Sequence, residues 1–215
     1  MGDVTLSIPE FGFTLRLMPE RAVLIEETQA LLIADPHFGK SATFRKEGIP
    51  IPDEILQNDL NRLSNALIRS NAKELIILGD FFHSELNSEW DEFLKWTEQY
   101  PSLDLKVIPG NHDKSMLSLI DSAGFLTHDE IQVGELTLRH DPSEDLAIPT
   151  LCGHVHPSVT LRGKARQLMR LPAFVLLQNT LVLPAFGSFT GFEDLSKSGY
   201  RKAWVVQGDN IWNTK

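Results

Sequence analysis

Ala30-Leu31-Leu32-Ile33-Ala34-Asp35-Pro36-His37 carries five apolar residues straight into a carboxylate and an imidazole. A short apolar run closed by turn-forming residues predicts a strand, and residues two apart in extended chain project to one side. Asp35 and His37 can therefore share one ion. The arrangement recurs at Leu75-Ile76-Ile77-Leu78, which runs into Gly79-Asp80, and at Val107-Ile108-Pro109, which leads into Gly110-Asn111-His112-Asp113. It returns again where Leu138-Arg139 meets His140, and where Thr150-Leu151-Cys152 leads into Gly153-His154-Val155-His156. Polar groups at the carboxyl ends of strands are where open α/β sheets place their ligands. Five of the seven histidines lie at such ends; His83 and His128 do not.

Working outward, Thr14 to Leu17, Ala22 to Ile25 and Leu105 to Ile108 are further short apolar runs that predict strands. Between Pro52 and Ser70, behind a proline and two acids, Ile55, Leu56, Leu60, Leu63, Ala66 and Leu67 recur at helical spacing. Ser88 with Asp91 resembles a capping box that opens a second helix through Phe93, Leu94 and Thr97, closed by Pro101. A third helix is predicted over Ser115 to Ala123, stopped by Gly124. Glu130 to Arg139, Thr150 to Cys152, Ala173 to Leu183 and Lys202 to Gln207 make the later chain β-rich. A mixed start and a β-rich finish predict an α/β (α+β) fold of two sheets packed face to face and flanked by helices.

The 215 residues, 42% hydrophobic, suit one domain over 1–215 without repeat or linker. One cysteine, Cys152, excludes an internal disulfide framework and predicts a reducing, cytoplasmic compartment. It precedes Gly153 in an apolar run and reads as a small buried hydrophobe. The first residues show no secretory pattern, and no apolar run approaches a membrane span, so no membrane association is expected. A net charge of -9 argues against a broad cationic face for nucleic acid. Two bound divalent ions would reverse the local sign where a phosphate must sit.

Imidazole, carboxylate and amide donors without thiolate suit Mn, Fe, Zn, Co or Ni, and a pair of ions calls for a bridging carboxylate such as Asp80. A lone Asp-x-His or Gly-Asp is most often an ordinary loop; the ordered set at strand ends is what carries the signal. Lys40 and Arg45 follow Asp-x-His closely and are candidate phosphate contacts, against the plainer reading of solvated charges. The glycines Gly39, Gly187 and Gly191 lack the Lys-Ser/Thr ending of a phosphate loop and read as turns.

Asp-x-His, Gly-Asp, Gly-Asn-His-Asp, His and Gly-His-x-His, in this order from Asp35 to His156, resemble the calcineurin-like metallophosphoesterase superfamily. Asp-Pro-His-Phe-Gly-Lys, Phe44 to Pro50, Gly-His-Val-His-Pro and Leu183 to Gly191 resemble the branch associated with DNA ligase and a helicase. Pro36 and Phe192 depart from that pattern at positions that are not ligands. The resemblance implies a four-layer fold with two metals, manganese foremost, at one edge. It implies one ion on Asp35, His37, Asp80 and His156, and the other on Asp80, Asn111, His140 and His154. His112 is then the unliganded catalytic imidazole, with Asp113 orienting it. The implied reaction is in-line hydrolysis of a phosphodiester, with DNA as substrate in repair and ligase and helicase as partners. Small-molecule monoester or cyclic-nucleotide hydrolysis is the rival reaction, and a scaffold with the same fold is the rival outside catalysis.

Overall fold

The computed structural model describes residues 2–52, 54–83, 86–163 and 167–214. The first half runs β1 (Val4–Ser7), β2 (Thr14–Met18), β3 (Ala22–Ile25), β4 (Ala30–Ala34), α1 (Lys40–Lys46), α2 (Ile55–Ser70), β5 (Glu74–Leu78), α3 (Ser88–Thr97), β6 (Asp104–Ile108), α4 (Leu117–Ser122) and β7 (Leu126–Thr127). Its strands form one sheet in chain order, antiparallel through β4 and parallel from there to β7.

The second half runs β8 (Ile131–Val133), β9 (Leu136–Leu138), β10 (Thr150–Cys152), β11 (Pro157–Arg162), β12 (Leu168–Leu177), β13 (Thr180–Val182), β14 (Glu193–Asp194), β15 (Lys202–Gln207) and β16 (Asn210–Thr214). They form a second mixed sheet in the order β14-β11-β12-β13-β10-β9-β8, with β15 also beside β12 and β16 beside β15.

The first sheet is apolar on both faces, which is why its strands read as unbroken apolar runs. Leu15, Leu17, Val23, Leu32, Ile76, Leu78 and Ile108 face Leu138, Leu151, Phe174, Leu181 and Trp204 of the second sheet. Leu31, Ile33, Leu75, Ile77 and Val107 face the helices. α2 meets them with Leu56, Leu60, Leu63 and Leu67, one stripe of an amphipathic helix, and α3 with Trp90, Phe93 and Trp96.

The fold is the expected two-sheet α/β arrangement, with three differences of detail. The helices gather on the first sheet; the outer face of the second is covered by chain around Leu195 and Tyr200, in a cluster that draws on no described helix. α3 is capped by Asn87, whose side chain accepts from the Glu89 amide at 3.0 Å, and not by Ser88, which already lies inside the helix. Ala173 to Leu183 splits into β12 and β13 around Gln178, at φ +45°. Asp53, one of the two acids expected at the start of α2, lies outside the described residues. No helix is long and apolar enough to cross a membrane among the described residues.

Candidate metal centre

Parallel register brings the candidate ligands together. Ala34 pairs with Leu78 and Leu78 with Ile108, so the chain leaves β4, β5 and β6 at one level. In the other sheet, Leu138 pairs with Leu151, aligning the exits of β9 and β10. The two edges meet closely. A Cβ on Gly153 would stand 2.8 Å from both Ala34 Cβ and the Leu78 oxygen; within the first sheet, one on Gly110 would stand 2.4 Å from the Asp80 nitrogen.

Strand alternation is not what aims Asp35 and His37. β4 ends at Ala34, and Asp35 and His37 have φ of +49° and +46°; Asp80 (+45°), His154 (+67°) and His156 (+48°) are left-handed as well. Aspartate and histidine tolerate this region better than most residues, though such strain costs roughly 1–3 kcal/mol per residue and persists only where neighbours impose it. Here His37 N donates to the Asp80 oxygen at 2.9 Å, Asp35 N to the Gly79 oxygen at 3.2 Å, and His154 N to Asp35 Oδ2 at 2.9 Å.

The side chains form two clusters. In the first, His37 Nε2 stands 3.4 Å from His156 Nε2 and 3.7 Å from Asp80 Oδ2, and His156 Nε2 stands 3.5 Å from Asp35 Oδ1. In the second, His140 Nε2 stands 3.1 Å from His154 Nδ1 and 3.7 Å from Asp80 Oδ1. Asp80 thus turns one oxygen to each cluster, the position a bridging ligand must occupy.

The donors fit divalent ions. Neighbouring donors bound to one ion at about 2.1 Å stand roughly 3 to 3.5 Å apart, close to the spacings found. Asp35 Oδ1 is buried with no hydrogen-bond partner among the described residues, a costly state that a cation relieves. His140 Nδ1 lies 3.2 Å from the Leu78 oxygen and His156 Nδ1 3.2 Å from the Gly191 oxygen. A carbonyl only accepts, so Nδ1 carries the proton in each ring and Nε2 turns a lone pair to the centre.

Burial lowers the pKa of His37 to about 3, against the pull of Asp80, leaving the neutral ring that metal binding needs. Burial pushes the Asp35 carboxyl up, opposed by the nearby imidazoles of His156 and His140. For Asp80, burial is outweighed by the His112 amide and by the neighbouring imidazoles, which hold it below the ordinary carboxylate value. For His156, burial is outweighed by the nearby Asp35 carboxylate, and its pKa rises.

Asn111 and His112 are exposed on the turn after β6, and the His112 ring stands 5.3 Å from the His37 ring, centroid to centroid. His112 N donates to Asp80 Oδ1 at 3.0 Å. Among the described residues, the hydrogen bonds of the Asp113 side chain go to backbone amides. Its buried carboxylate accepts from the amides of Gly110 (2.8 Å), Phe81 (3.1 Å) and Phe82 (3.0 Å), tying the His112 turn to the chain after β5.

Lys40 and Arg45 part company. Lys40, at the start of α1, is lowered in pKa by burial, opposed by the nearby Asp80, and its charge acts on His37 and His83. Arg45 bonds Glu89 Oε1 at 2.9 Å and the Pro52 oxygen at 3.1 Å, so its charge fastens α1 to α3 rather than facing the ions. Buried Glu89 also accepts from Gly39 N at 2.8 Å and from the Ser41 hydroxyl.

His83 does belong to the site. Its ring stands 5.2 Å from that of His112 and 6.0 Å from that of His37, held by its amide donating to the Phe38 oxygen at 2.7 Å. Its spacing from Asp80 was the sole sequence signal, and the loop that turns it inward is a tertiary feature. Cys152 is fully buried, with burial raising its thiol far above the ordinary value, so it is neither nucleophile nor ligand.

The 183–191 segment closes the centre from behind. Phe186 N donates to the Ala34 oxygen at 2.7 Å, Arg21 to the Ala185 and Gly187 oxygens at 3.2 and 3.3 Å, and Ser188 N to Asp59 at 3.0 Å. Arg62 covers the Phe186 ring at 4.5 Å. The segment ends at the Gly191 oxygen that sets the His156 tautomer.

Gly79 gives a sharp test of this packing. It has φ +80°, and an added Cβ would lie 1.8 Å from His140 Nδ1. Gly79→Ala is expected to displace the His140 ring and destabilise the fold by about 4 kcal/mol or more, read as a lowered Tm and loss of one bound ion per chain. Unchanged Tm and metal content would show that the sheets do not meet as described.

The profile of the calcineurin-like phosphoesterase family matches residues 29–204, which take in every proposed ligand. The structure of the Pseudomonas putida nuclease MPE matches with a TM-score of 0.83 at 29% identity, over 99% of this chain and 100% of that one. The E. coli phosphoesterase Yfce matches with a TM-score of 0.41 at 13% identity, over 85% and 90% of the two chains. An Aquifex aeolicus protein of unknown function, AQ665, gives 0.41 at 20%, over 63% and 80%. No curated protein matches the chain. With two ion-sized donor clusters at the meeting edge of two sheets and a profile spanning most of the sequence, the chain belongs to the calcineurin-like phosphoesterase family.

Proposed function

We propose that this phosphoester hydrolase acts on phosphodiesters, with nucleic acid as its substrate. The observation that carries the reading is full-length likeness to a nuclease, the Pseudomonas putida protein, at 29% identity. An open rim supports it. Asn111, His112 and His154 are exposed, so both arms of a diester can leave the centre, whereas a monoester needs room for one.

Two divalent ions, when bound, supply Lewis-acid polarisation of the ester and a water of lowered pKa. The chain's own groups do the rest. Asp80 holds the clusters in fixed relation, and Lys40 adds a positive charge on the α1 side for a non-bridging oxygen. His112, exposed and tethered through its amide to Asp80, is placed to give a proton to the departing oxygen. His83 lines the same side of the cleft. Manganese as the resident metal, and DNA repair beside a ligase and a helicase, belong to this proposal on the strength of the sequence resemblance.

The test is turnover after manganese reconstitution on bis-p-nitrophenyl phosphate, p-nitrophenyl phosphate, cyclic nucleotides and single- and double-stranded DNA. A higher kcat/KM on the diester than on the monoester, with cleavage of DNA, is expected. Preference for the monoester would move the protein to small-molecule phosphatases.

A further inference from the structure

Asp141 follows His140 at the rim, and its side chain is 55% exposed. Its Oδ1 stands 3.5 Å from His154 Nδ1. His140 Nε2, Asp141 Oδ1 and His154 Nδ1 all lie within 4.8 Å of one another. We propose that Asp141 is a further ligand of the second ion, beyond the set that the superfamily resemblance implies; this rests on the two-ion reading of the centre.

The plainer account is a surface pair in which His154 donates Nδ1–H to Asp141. Two distances oppose it. At 3.5 Å the contact is longer than a good N–H···O bond. His154 Nδ1 is also the ring atom 3.1 Å from His140 Nε2, whose own Nδ1 faces the Leu78 carbonyl. His140 therefore presents a lone pair to His154 Nδ1, and a proton on that nitrogen cannot point both at it and at Asp141. A cation among the three atoms satisfies all of them, and the Asp141 carboxylate adds negative charge beyond the single Asp80 oxygen that reaches this cluster. The two sites then differ in kind. Asp35, His37 and Asp80 bury the first ion, whereas the second keeps ligands open to solvent at His154 and Asp141. The second ion is the more easily exchanged.

The experiment is calorimetric titration of Mn²⁺ into chelator-treated protein, with electron paramagnetic resonance to distinguish coupled from isolated ions. Wild type should bind two ions. Asp141→Asn, at an exposed position and so expected to keep the Tm of the metal-free chain, should retain the first affinity and weaken the second by about 10- to 100-fold. The coupled spectrum should give way to that of a single ion at matched metal concentration. Two wild-type affinities in Asp141→Asn, or equal weakening of both, would overturn the assignment. A wild-type chain that takes up a single ion would instead overturn the two-ion reading on which it stands.

Discussion

Replacing Asp80 with alanine is expected to cost more activity than any other single change at the centre, because both clusters use this one carboxylate. Its oxygens stand 3.7 Å from His37 Nε2 and 3.7 Å from His140 Nε2. Without it, two neighbouring divalent charges repel each other with less to offset them, and each cluster loses a donor. The variant should retain at most one ion per chain. Loss of the several kcal/mol that metal polarisation contributes to the transition state converts to a fall of about 10³-fold or more in kcat/KM. A second effect adds to the first, since Asp80 also accepts the His112 amide at 3.0 Å. Metal analysis and turnover measured on one preparation test this. Two retained ions and a near-normal rate would remove Asp80 from the bridging position.

His112→Asn separates binding from proton transfer. His112 lies outside both clusters and its amide, which the asparagine keeps, makes the bond to Asp80, so metal content should stay at the wild-type level. Hydrolysis should slow by about 10²- to 10⁴-fold where the leaving oxygen needs a proton. A nucleotide alkoxide is such a leaving group; p-nitrophenolate departs readily unprotonated. The loss should therefore be larger on DNA than on bis-p-nitrophenyl phosphate. Equal losses on both would assign His112 to holding the phosphate or to charge stabilisation. Loss of an ion would make it a ligand.

The strands that carry the ligands were legible because the first sheet is buried on both faces and writes itself as Ala30 to Ala34 and Leu75 to Leu78. Two elements without a regular apolar stripe were not. α1 is a seven-residue helix of which Ser41 alone is buried, and β12 begins with exposed Leu168, Met169 and Arg170 before its buried half. The candidate ligands stand out by residue type and order, while the reason that they converge does not. Extended alternation would have sufficed on paper, and the chain uses left-handed residues after β4, β5 and β10 instead. The resemblance implies that Asp113 orients His112, and what the sequence does not show is that its carboxylate accepts from three amides brought together in space. His83 and Asp141 are missing from the motif for the same reason: one loop and one rim, distant in sequence, define their neighbours.

The ligands are shared between the two sheets, and this sets an order in time. A chain emerging from the ribosome exposes Asp35, His37 and Asp80 long before His154 and His156 have been made, and Asp35 Oδ2 waits 119 positions for the amide it accepts. Contacts of such span form late, after the loop between them has closed. Divalent ions held by both sheets would therefore enter after the halves have docked, and would rivet those halves together. Stripping them should raise amide exchange first at the exits of β9 and β10, the seam that the metals hold shut.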